Sequence, residues 1–143
     1  MNYSRFTDND LTVSDARTGL MWEKKTPGND WRSNLNALDA SLSWDEAKTD
    51  WIGEMNARKF AGFSDWRLPE IEELQSIVDY RRPRPPAINP VFGHLAEAFY
   101  WSATPLSIHP GVAWRVLFLD GAVFVDEIHN ANRVRAVRGK GVG

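Results

Sequence analysis

Seven tryptophans stand in a chain of 143 residues, and arginines gather in two places: Arg81, Arg82 and Arg84, then Arg133, Arg135 and Arg138 beside Lys140. Indole rings stack on flat apolar surfaces, and guanidinium groups grip sulfate or carboxylate oxygens through planar, two-pronged hydrogen bonds. Such residues either equip a binding surface or fill an irregular core and a solvated face. Residues for covalent or metal chemistry are sparse. The chain has no cysteine, which removes thiolate nucleophiles, thiolate metal sites and disulfides but leaves the compartment open. Its three histidines, His94, His109 and His129, fall in different predicted loops. No Ser-His-Asp set can be picked out where triads are defined by geometry. Asp8, Asn9, Asp10 and Asp15 imitate a calcium loop, yet the EF-hand spacing with its glycine and terminal glutamate is missing. The residues call for no metal and no cofactor.

Charged residues make up 25% and hydrophobic ones 43%, proportions that suit one folded domain spanning residues 1–143. The net charge is only -2, but it is uneven. Residues 1–80 carry fifteen acidic and nine basic side chains, and residues 81–143 carry four and eight. The basic clusters can meet sulfated or phosphorylated polymers. Nucleic acid is not expected, because the balance is acidic and no recognised motif is present. No apolar run approaches the about 20 residues that span a bilayer, and the first six residues hold no apolar signal core. No membrane insertion is expected, and any signal or anchor of an exported protein would lie upstream of this sequence.

The elements that must position these groups read clearly in places. Asp10–Asp15 and Thr18–Trp22 form an opening hairpin, with Asp15 and Gly19 in the turn. Lys25–Ala40 is a long surface loop carrying Trp31. Ser43-Trp44-Asp45-Glu46 is a capping box that starts a helix running to Ala57, with Trp44, Ala47, Trp51 and Met55 on its buried face. Gly62-Phe63-Ser64-Asp65-Trp66-Arg67-Leu68-Pro69 connects this helix to a second over Glu70–Asp79; Trp66 is its apolar anchor, and Asp65 and Arg67 are placed to pair. The segment Arg81 to Pro90 contains four prolines, which demand an extended connector. Strands are expected at 99–103, 112–118, 122–125 and 133–138, with Asp120-Gly121 turning the second into the third.

Taken in order, Thr12-Val13 with Asp15, Thr18–Trp22, Trp44–Ala47, Gly62–Pro69, Glu73-Leu74, Tyr100-Trp101-Ser102, Asp120-Gly121 and Val134–Gly139 resemble the Lcl C-terminal domain family, named from a bacterial collagen-like adhesin. The resemblance covers nearly the whole chain. It implies an α+β fold of the C-type-lectin-like kind, with two helices packed on a curled antiparallel sheet that carries long loops. Two positions depart from the family pattern. Glu70 replaces a threonine that would cap the second helix, and Ala136 replaces a cysteine found in many members.

The resemblance also implies a non-enzymatic binding or adhesion module of a bacterial envelope or secreted protein. Its expected partner is a polysaccharide, sulfated in adhesin-like members, or an extracellular protein. Candidate contacts are Trp31, Trp101 and Trp114 for stacking, with Arg115, Arg133 and Arg135 for anionic oxygens. Strand alternation puts Arg133 and Arg135 on one face and Val134 and Ala136 on the other, so both arginines point outward if Val134 is core. A structural or homo-oligomerising cap on a larger surface protein is the alternative. The lectin-like fold also resembles formylglycine-generating and sulfoxide-synthase oxygenases, but their copper or iron sites need paired cysteines or clustered histidines that this sequence does not supply.

Overall fold

The structure is a computed structural model that describes residues 4–26, 40–93 and 98–140. Among the described residues, nine strands and two α-helices follow one another: β1 Phe6–Asp8, β2 Thr12–Asp15, β3 Met21–Glu23, β4 Ser41–Leu42, α1 Ile52–Ala57, α2 Ile71–Ser76, β5 Phe99–Leu106, β6 His109–Leu117, β7 Ala122–Glu127, β8 Asn132–Arg133 and β9 Val137–Arg138. They build two open sheets, β1-β2-β3-β9 and β4-β8-β5-β6-β7. Pairing is antiparallel except between β5 and β8. The opening hairpin lies where the sequence places it, with Val13 opposite Trp22. Asp15 closes its turn by accepting from the backbone N–H of Arg17 and the hydroxyl of Thr18, while Arg5 grips both carboxylate oxygens. Strand β1 was not foreseen; its Phe6-Thr7-Asp8 shows little of a buried strand's pattern.

The first helix forms as its capping box predicts. Glu46 accepts from the backbone N–H and hydroxyl of Ser43, and Trp44, Ala47, Trp51 and Met55 are all buried. Its opening Glu46–Trp51 is a π-helical turn rather than a regular α-helix. The connector that follows takes three left-handed residues, Lys59, Ala61 and Gly62, and glycine alone adopts this conformation without steric cost. Trp66 is buried as expected, and its indole N–H donates to the Phe60 carbonyl. Asn56 on α1 makes both backbone bonds to Trp66.

The expected Asp65–Arg67 pair does not form. Asp65 takes Arg138 of β9 and Arg67 takes Glu73 of α2 instead. The backbone of Arg67 pairs with Val137 in both directions, which makes this segment an added rung on β9. Helix α2 is shorter than the predicted 70–79. The hydroxyl that position 70 lacks comes from Thr104 of β5, which accepts from the Ile71 N–H and donates to the Glu70 carboxylate.

The five-stranded sheet has both faces covered. Over one face, Trp44, Trp51, Met55 and Trp66 pack against Trp101, Ala113, Val134 and Ala136. Over the other, Trp22, Leu74, Ile88 and Phe92 pack against Tyr100, Val116 and Phe118. The predicted strand 133–138 is split between the sheets. Asn132–Arg133 pairs within the large one and Val137–Arg138 within the small one, so residues 134–136 carry the chain across.

Replacing Thr104 by valine, which keeps the shape but removes the hydroxyl, should lower unfolding free energy by about 1 kcal/mol, whereas serine should lower it less; urea denaturation measures both. Burial raises the pKa of Glu73, but its bonds to Arg67 and the Glu70 N–H and the Arg67 charge together hold it below the usual glutamate value. Asp15 is likewise raised by burial and brought below its usual value by Arg5, Thr18 and the Arg17 N–H. A depressed folded pKa adds stability above the unfolded pKa near 4 that is lost as pH falls through the folded value. The urea midpoint should therefore drop on acidification towards about pH 3, and Glu73→Gln should start lower and fall less steeply.

Candidate functional site

The open end of the large sheet gathers residues that the sequence kept apart. The Asp120-Gly121 turn sets the register of β6 and β7, pairing Leu117 with Ala122 and so Arg115 with Phe124. Strand β5 adds Phe99 two positions from Trp101, which itself faces Arg115. Opposed residues share a face. Arg115, Phe124 and Phe99 therefore meet on the side where Trp101 lies, beyond the reach of the helix that covers Trp101. The Arg115 guanidinium lies 3.8 Å from the centre of the Phe99 ring. The Phe99 and Phe124 rings meet edge to face at 6.0 Å and 73°. Phe124 remains 55% exposed, which makes it the most accessible ring of this face.

Arg115 is held from below. It donates to the Asn132 side-chain oxygen at 3.2 Å and stands 3.5 Å from Asp126. Asp126 accepts in turn from the side chains of Asn130 and Asn132 and from the Glu127 N–H. Burial raises the pKa of Asp126, but Asn130, Asn132 and the Arg115 charge bring it below the usual aspartate value. The carboxylate is thus ionised and serves as counter-ion to the guanidinium. What results is an aromatic surface whose arginine is backed by a carboxylate.

The six residues singled out from the sequence do not form one site. Trp31 lies outside the described residues, as does His94. Trp101 is fully buried, with its indole N–H donating to the Leu42 carbonyl at 2.7 Å, so it offers no surface for stacking. Trp114 sits on the opposite face from its neighbour Arg115, half-buried beside α2 in an open groove of about 300 Å³ lined by Ile71, Glu72, Gln75 and Val123. Arg133 is half-buried.

Arg135 corrects the expectation of two outward arginines. The alternation holds, since Val134 and Ala136 enter one core cluster while Arg135 lies 5.7 Å from the centre of the Tyr100 ring on the other side. That other side is a second core, not solvent, and Arg135 is 0% exposed. It donates to the carbonyls of Glu23 and Phe92. Burial pulls its pKa below the ordinary guanidinium value, opposed by Tyr100 and Glu23. Lys25 was expected to open a surface loop, yet it is buried and bonded to Glu23 at 2.9 Å. Phe99 and Phe124 were missed, although the turn at Asp120-Gly121 carried the register that would have placed Phe124 beside Arg115.

Other candidates are less organised. His109 and His129 are exposed, and among the described residues no three His, Asp or Glu side chains are placed to hold a metal ion. Asp8 and Asp15 of the apparent calcium loop are engaged by Lys24 and Arg5. A polar cavity of about 220 Å³ opens between β1, the end of α2 and the proline-rich connector, with Arg5, Arg17 and Arg81 in its lining. Among the described residues, no helix is long and apolar enough to cross a membrane.

This architecture defines a mixed α+β domain, with two helices and two sheets that do not close. The sequence model of the Lcl C-terminal domain family matches residues 11–138, and the chain belongs to that family. No curated protein matches it.

Glu23→Gln should destabilise the fold by about 3–5 kcal/mol, because it leaves buried cations without their carboxylate. Arg133→Ala should stay within about 0.5 kcal/mol of the parent. Thermal melts of the two variants make the comparison.

Proposed function

We propose that this domain is a non-catalytic binding module for a polysaccharide, carried by a bacterial envelope or secreted protein, and that its fold is of the C-type-lectin-like kind. One observation carries the reading of the site. On a sheet whose faces are otherwise packed, Phe124 stands uncovered beside a Phe99–Arg115 stack that Asp126 and Asn132 hold rigid. A flat ring fixed before the ligand arrives loses little conformational freedom on binding. The apolar face of a sugar ring suits it, with hydroxyls free to reach the polar rim of Asp126 and Asn130. Family membership supports the same reading, since the family takes its name from an adhesin.

A second mode is favoured by the cavity with Arg5, Arg17 and Arg81 in its lining. Arg5 is committed to Asp15, while the Arg81 side chain is 96% exposed. Sulfate or carboxylate groups of an acidic polymer can dock there. The two modes separate by salt, because exposed ionic contacts weaken as added salt shortens the Debye length, about 10 Å at 0.1 M, and stacking does not.

The test is a glycan array that includes neutral and heparin-like polymers, read with the parent chain, Phe124→Ala and the double variant Arg17→Ala/Arg81→Ala across a salt series. Binding that resists salt and disappears in Phe124→Ala is the expected result. Salt-sensitive binding lost only in the arginine variant would move the site to the cavity. Absence of binding to every glycan would sink the polysaccharide reading and favour a structural cap.

A further inference from the structure

Strand β7 forms one edge of the large sheet. Such edges are normally blunted by short length, lysine, proline or a bulge, and the opposite edge strand β4 has only two residues. Strand β7 has six, Ala122-Val123-Phe124-Val125-Asp126-Glu127, with no lysine or proline, and it pairs with β6 residue by residue without a bulge. Its middle is apolar and accessible, with Phe124 55% and Val125 37% exposed.

The hydrogen-bond phase of this edge follows from one contact. The Ile128 N–H donates to the Gly111 carbonyl, and these residues are opposite one another by extension of the β6–β7 register. Alternation then turns the backbone of Phe124 and Asp126 towards β6 and that of Val123, Val125 and Glu127 outward. The Glu127 N–H is taken by the Asp126 side chain, whereas Val123 and Val125 have no backbone partner on that side among the described residues. The free edge is therefore two outward-facing residues centred on Phe124.

We propose that this edge binds a second copy of the chain, with β7 pairing antiparallel to its own counterpart about a two-fold axis at Phe124. The sequence is self-complementary in this register. Val123 faces the partner's Val125 and Val125 faces the partner's Val123, so each pair exchanges both N–H···O=C bonds. Phe124 faces the partner's Phe124 as a non-hydrogen-bonded pair, and Asp126 falls opposite the partner's Ala122, which keeps the carboxylates apart. Shifting one strand by two residues would set Val123 against Glu127 and Phe124 against Asp126, or Val125 against Gly121 and Phe124 against Ala122, and so lose the central aromatic pair. Edge pairing extends the sheet sideways and leaves the Phe99–Arg115 face open, so it does not compete with a ligand there.

The absence of cysteine makes the register directly testable, because a single introduced thiol can link only to its own counterpart. Non-hydrogen-bonded partners stand about 4.5 Å apart at Cα, within disulfide range. Under mild oxidation Phe124→Cys should give a covalent dimer several-fold faster than Val123→Cys or Val125→Cys, which face each other rather than themselves. Val125→Pro removes an outward N–H that β6 does not use, so the monomer should keep its circular dichroism while sedimentation shows dimerisation weakened by at least about tenfold. Should the proline variant not fold, Val125→Lys serves with the same expected loss. A parent chain that stays monomeric up to about millimolar concentration overturns the proposal, as does a dimer that cross-links equally at all three positions. Glycan binding by monomeric Val125→Pro is read separately, so failure of the dimer and failure of the polysaccharide reading leave different records.

Discussion

The fold depends on how three charges are buried where the chain crosses from one sheet to the other. Glu23 ends β3, Lys25 follows it, and Arg135 lies in the crossing segment; all three are essentially without solvent. Glu23 bonds Lys25 and accepts from the Ala136 N–H, while its own N–H donates to the Ala136 carbonyl. Arg135 ties the Glu23 and Phe92 carbonyls together. An extended segment between two sheets leaves backbone groups that neither ladder satisfies, and apolar packing alone cannot supply their partners. The charges supply them. Gly93 shows how close the chains come, since a Cβ there would lie 2.1 Å from the Lys25 carbonyl oxygen, a separation that requires glycine. Burying ions gains little over a well-packed apolar core, so their value here is in fixing one crossing geometry.

That crossing decides what surface remains. By joining the small sheet and α2 to one face of the large sheet, it buries Tyr100 and Val116 there, while α1 and the Trp66 connector bury Trp101 and Ala113 on the other. Among the described residues, the Phe124 side of β7 is left uncovered, while α2 on the opposite face reaches Val123. The exposed Phe124 and the free backbone of Val123 and Val125 are two consequences of the same shortfall in cover. A helix one or two turns longer on the Trp101 side would hide the platform.

Local chemistry was legible in the sequence, and sidedness was not. The Ser43–Glu46 capping box, the 44–47–51–55 stripe, the Asp15 turn and the Asp120-Gly121 hairpin rest on contacts within a few residues, and each stands as read. Alternation through 133–136 was also right. What a strand pattern cannot tell is whether the second face meets water, and Arg135 was misplaced for that reason alone. Thr104 capping a helix that begins at Ile71, and Asp65 choosing Arg138 over Arg67, are meetings across 33 and 73 residues respectively. No spacing rule reaches so far. The site was legible only through the hairpin register, which places Phe124 opposite Arg115, and family likeness drew attention to tryptophans instead.

The chemistry of Arg115 explains why stacking and not charge should dominate at the platform. A guanidinium free in solvent would attract any sulfate, with the strength and salt dependence of an exposed ion pair. Arg115 is instead pressed on Phe99 and held against Asp126, whose oxygens also accept from Asn130 and Asn132. Drawing it towards an anionic ligand would break the Asn132 bond and strip Asp126 of its counter-ion. The arginine therefore acts as a flat, polarised backing that stiffens Phe99 and, through the edge-to-face contact, orients Phe124. On the proposed reading, discrimination at such a surface would come from ring shape and the placing of hydroxyls, and a strong preference for sulfation would arise elsewhere, where Arg17 and Arg81 line the polar cavity.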